Sequence, residues 1–67
     1  MNMTKKMRQL LLGVHQAPTR VELHFKHASV CGAINMAFYL QGITLEQSML
    51  CHDLLANAFN HRAKELN

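Results

Sequence analysis

Sixty-seven residues, 49% of them hydrophobic, make one domain at most and exclude a compositionally disordered chain. A domain of this size buries only about 60% of its unfolded surface, so it usually needs a staple, a metal or a second copy. The formal charge of +3 sits at one end: residues 1–26 carry Lys5, Lys6, Arg8, Arg20 and Lys26 against Glu22 alone, whereas residues 27–67 carry Arg62 and Lys64 against Glu46, Asp53 and Glu65. A basic N-terminal segment on an otherwise near-neutral chain fits attraction to an acidic protein surface or to nucleic acid.

In chain order, the first predicted helix spans about 4–15. Met3, Met7, Leu10, Leu11 and Val14 recur at helical spacing, with Lys5, Lys6 and Arg8 largely off that stripe. The same stretch is not expected to be a secretory leader, because Leu10-Leu-Leu12 is too short for its apolar core and no small-residue cleavage site follows. Gln16-Ala-Pro18 is a linker, since the residue before a proline is pushed out of the helical region.

The second helix is predicted over about 19–41. It opens on Thr19-Arg-Val-Glu22, a capping box in which the hydroxyl accepts from an orphan amide and the glutamate reaches back. Gly42 is placed to end it in the left-handed conformation. A second capping box, Thr44-Leu-Glu-Gln47, opens a third helix over about 44–66. The short link between the two long helices makes them antiparallel neighbours.

Helix 2 contains the least polar run of the chain, Val30-Cys-Gly-Ala-Ile-Asn-Met-Ala-Phe-Tyr-Leu40. A helix that is apolar nearly all round must be covered all round. Placing residues at 100° intervals separates two opposed apolar faces. One holds Val21, Phe25, Ala28, Gly32, Met36 and Tyr39; the other holds Leu23, Val30, Ile34 and Ala37, with Phe38 at its edge. One face can meet helix 3, and the other needs helix 1 or a second chain. Helix 3 offers a wide face of Leu45, Met49, Leu55, Ala56, Phe59, Ala63 and Leu66, and a strip of Leu50, Leu54 and Ala58.

The expected architecture is therefore all-α, an antiparallel hairpin of two long helices with a shorter N-terminal helix, paired as a helical-bundle homodimer. Phe25, Ala28, Gly32, Met36 and Tyr39 are the expected dimer interface. Lys5, Lys6 and Arg8, with Leu10, Leu11 and Val14, are the expected outward surface for a partner protein.

Chemical motifs are sparse. In a hairpin turning near Gly42, Cys31 comes level with Cys51 and His52, so His27, Cys31, Cys51 and His52 are the candidates for a tetrahedral metal site. No CxxC or HExxH spacing supports it, and no metal or cofactor is expected. Cys31 reads as a core thiol. Two cysteines without a secretory leader point to free thiols in the cytoplasm. Cys51 and His52 are adjacent and diverge by about 100° on a helix, which is wrong for a nucleophile and its base. No enzyme is expected.

Residues 27–45 lack Asp, Glu, Lys and Arg, but His27, Ser29, Asn35, Gln41 and Thr44 argue against a membrane span. The alternative to a protein-binding modulator is a small DNA-binding transcriptional regulator. Ala37–Ser48 has the small residue and Gly-hydrophobic-Thr order of a helix-turn-helix. Its recognition helix would open on Leu45, Glu46, Gln47 and Ser48, without a base to meet phosphate.

With its Lys5-Lys6-Met7-Arg8 start and Gly42-Ile-Thr-Leu-Glu-Gln47 between long helices, the chain resembles in type the short helical accessory proteins of enterobacterial phages and phage satellites. The resemblance implies a cytoplasmic regulator that binds a phage or host protein, such as a repressor or a packaging component. It carries over no residue role.

Overall fold

The computed structural model describes the backbone of residues 3–67 and side chains from Lys5 onward. The side chain of Met3, assigned above to the helix 1 stripe, lies outside the described residues. Three helices make up the described chain: α1 (Met3–His15), α2 (Arg20–Tyr39) and α3 (Leu45–Glu65). They form one elongated body of 37 × 18 × 16 Å. Its length follows from helices of 20 and 21 residues, each about 30 Å long at 1.5 Å per residue. None of these helices is long and apolar enough to cross a membrane.

Each long helix starts where its cap is. The Thr19 hydroxyl accepts from the Glu22 amide at 3.1 Å, but among the described residues only this half of the expected box is made. At Thr44 both halves form: the hydroxyl accepts from the Gln47 amide at 3.1 Å, and the Gln47 side chain accepts from the Thr44 amide at 2.9 Å.

The end of α2 differs from expectation. The left-handed residue is Gln41, with φ of 59°, and no glycine among the described residues has positive φ. The Gln41 amide donates to the Phe38 carbonyl at 3.0 Å and the Gly42 amide to the Ala37 carbonyl at 2.8 Å. That bond pair is a Schellman motif, which requires the residue before the closing amide, here Gln41, to turn left-handed.

The core lies on one side of α2. Leu23, Val30 and Ile34 are buried on it, joined by Met7, Val14 and Ala17 from α1 and the linker and by Ile43, Leu55 and Ala58 from the turn and α3. Both α1 and α3 pack on that side, so helix 1 does not cover the opposite face. On α3 the buried line is Ser48, Leu55 and Ala58, flanked by half-buried Cys51, Phe59 and Arg62. It runs between the wide face and the strip expected above. Leu45 and Met49, expected inside, are exposed. Insertion of α1 against α3 shifts the inward line towards the Cys51–Ala58 side.

Candidate functional site

Val14 was expected in the outward surface for a partner, and the structure corrects this: it is 0% exposed and belongs to the core. The stripe at helical spacing is the inward side of α1, because Met7 and Val14 seal the α2–α3 hairpin. Leu10 and Leu11 are half-buried and pack against the same cluster. Lys5, Lys6 and Arg8 are exposed, as their off-stripe positions imply.

Arg8 and Leu11 nonetheless take part in a cleft. Where α1 meets the first turns of α3, a groove of about 340 Å³ opens between Met7, Arg8 and Leu11 on one wall and Gln47, Leu50, Cys51 and Leu54 on the other, floored by Ile43. Its surface is mostly apolar. Leu50 and Leu54 stay solvent-exposed although they line it. The strip Leu50–Leu54 was legible in the sequence, but its pairing with α1 was not. That pairing depends on the angle at which α1 docks after Pro18, and local spacing does not encode it.

The side of α2 away from the core is the second open surface. Val21 is 80% exposed, Phe25 71%, Met36 59% and Tyr39 84%, and a Cβ built on Gly32 would meet nothing within 4 Å. Ala28 lies exposed between them.

The four metal candidates are not brought together. His52 Nε2 donates to Asn35 Oδ1 at 3.2 Å, and the His27 and His24 rings stack edge-on against Phe59 at 4.8 and 5.2 Å. Among the described residues no group of three or more His, Cys, Asp or Glu side chains converges as metal ligands.

Cys31 and Cys51 are free, half-buried thiols. Cys31 Sγ lies 4.0 Å from both Nδ1 and Nε2 of His27. A sulfur equidistant from both nitrogens lies off both lone-pair directions, so the contact is packing and is not aligned for proton transfer.

No family model, curated protein sequence or solved structure matches this chain.

The geometry bears on the helix-turn-helix segment as well. The His24–Phe59 and Asn35–His52 pairs lie about 16 Å apart along α2. The two helices therefore run side by side, unlike the roughly 90–120° crossing of a helix-turn-helix. Of its expected recognition residues, Ser48 is buried in the core and Leu45 is exposed.

Sequence reasoning missed Arg62. Its Nε donates to the Ala17 carbonyl at 2.8 Å, fastening the linker to α3. Next to it Arg20 is hydrogen-bonded to Asn67, and His61 Nδ1 lies 3.4 Å from Glu65 Oε1. A cation in the last turn of a helix signals only a favourable dipole contact. The carbonyl that Arg62 serves is 45 residues away in sequence.

Proposed function

We propose that this chain is a small, non-catalytic protein-binding modulator of the cytoplasm that associates with itself and docks a segment of a partner protein in the α1–α3 groove. The observation that carries the reading is the groove itself: apolar walls, two leucines left open on a folded chain, and Arg8 at the rim. About 340 Å³ holds a few side chains, as when an amphipathic helix sets successive anchors into a cleft. Arg8, with Lys5 and Lys6 on the same basic helix and no acidic residue in its first turn, favours a segment that carries a carboxylate beside its apolar anchors. The likeness in type to phage accessory proteins makes a phage or host protein, such as a repressor or a packaging component, the partner to look for.

The test compares the wild-type chain with Leu54→Glu and Arg8→Glu as baits in extracts of its native host, followed by titration against the purified partner. Leu54 and Arg8 are solvent-exposed, so both variants should keep the helical circular dichroism of the wild type. Each should weaken partner binding by about tenfold or more, the size of a hot-spot loss. Unchanged binding in both variants, or no partner for the wild type, would remove the groove as the site.

A further inference from the structure

We infer that the outer face of α2 pairs with the same face of a second copy, antiparallel, about a two-fold axis level with Val30. The proposal rests on the self-association just put forward and gives it a geometry. Six residues make the stripe: Val21, Phe25, Ala28, Gly32, Met36 and Tyr39. Read from its middle outwards, the stripe runs small, large, large in both directions. Ala28 and Gly32 lie next to the centre, Phe25 and Met36 come next, and Val21 and Tyr39 lie outermost.

An antiparallel copy therefore sets Ala28 against Gly32, Phe25 against Met36 and Val21 against Tyr39, each pairing occurring twice. That is the self-complementarity an isologous interface requires and a dissimilar partner does not. The small centre lets the backbones approach closely, since space over Gly32 is empty. A methionine sulfur against an aromatic ring is a favourable contact.

Charge selects the same orientation. On α2 all formal charge lies in the first two turns, at Arg20, Glu22 and Lys26, and residues 27–39 carry none. An antiparallel copy lays these charged turns beside the uncharged turns of its partner. A parallel copy would bring the two charged ends, each of net charge +1 from Arg20, Lys26 and Glu22, to the same end of the pair, where like charge repels. Opposed helix dipoles add to the preference.

The experiment measures mass against concentration by sedimentation equilibrium for the full chain, Phe25→Lys, Met36→Glu and the double variant. The wild type is expected at twice 7.6 kDa. Each single change should weaken pairing by about tenfold or more. The double variant should recover most of that loss, because antiparallel pairing sets each new cation against a new anion of the other copy. Within one chain the two positions are about 16 Å apart, too far to pair. Both sites are largely exposed, so helicity should not change, and circular dichroism verifies it.

A dimer whose double variant is weaker than either single variant overturns the antiparallel geometry and leaves self-association standing. A wild type that stays at 7.6 kDa overturns both and leaves the groove reading to its own test.

Discussion

At Gln41 a side-chain-bearing residue occupies the left-handed region, where an L-residue is disfavoured by about 1–2 kcal/mol. Glycine is the usual occupant of that position, and it stands one residue later. Gly42 instead supplies the amide that closes on Ala37, with a Cβ there only just clearing the carbonyl oxygen at 3.4 Å. Gln41→Gly should therefore raise stability by roughly 0.5–1 kcal/mol after the entropic cost of glycine is subtracted. That corresponds to about 2–8 °C in melting temperature for a domain of this size. Thermal unfolding followed by circular dichroism checks it, and a lower melting temperature would contradict the assignment of strain. The glycine was a sound signal for a helix end. It could not say which amide would close the motif, because that is decided by where the last helical turn stops. Val14 carries the same lesson: spacing showed that it shares a face with Met7 and Leu10, but not that this face is the covered one.

At the level of the elements, the caps were the most legible features, since each needs only a side chain and an amide three residues apart. Thr44→Ala removes the hydroxyl from a complete capping box and should cost about 1 kcal/mol in urea unfolding. The same change at Thr19, where the glutamate half is missing, should cost less. The faces of the helices were only partly legible. On α2 the opposed stripes emerged correctly because the inward one is narrow, and Leu23, Val30 and Ile34 fill it. On α3 apolar residues surround most of the helix, so periodicity could not choose among three lines. Leu55 is 1% exposed, and Leu55→Ala should cost about 2–5 kcal/mol. In so small a domain that loss is enough to abolish the cooperative melt, whereas Leu45→Ala on the exposed neighbouring line should leave it nearly unchanged.

For the molecule as a whole, the docking of α1 decides where the groove lies, and Arg62 holds the end of that docking in place. The Ala17 residue is 1% exposed, and its carbonyl receives the guanidinium Nε–H. Arg62→Met keeps the aliphatic stem and removes the donor, so it should lower unfolding stability by about 1.5–3 kcal/mol, the range for a hydrogen bond to a charged group. Urea titration at one fixed protein concentration reads this out. Hydrogen exchange should speed up most in residues 16–19. A loss no larger than that of Lys64→Met would show that the bond does not hold the linker. The all-α hairpin was readable in the sequence, and so was α1 as an element, but the seat of α1 had no local signature.

The bond from Arg62 to Ala17 also orders events during synthesis. Forty-five residues separate donor and acceptor, which at about 5–20 residues per second takes roughly 2–9 s to translate. Until α3 has emerged, Met7 and Val14 have only α2 to shelter them. During synthesis α1 is therefore complete before the helix that closes the core over Met7 and Val14 has been made.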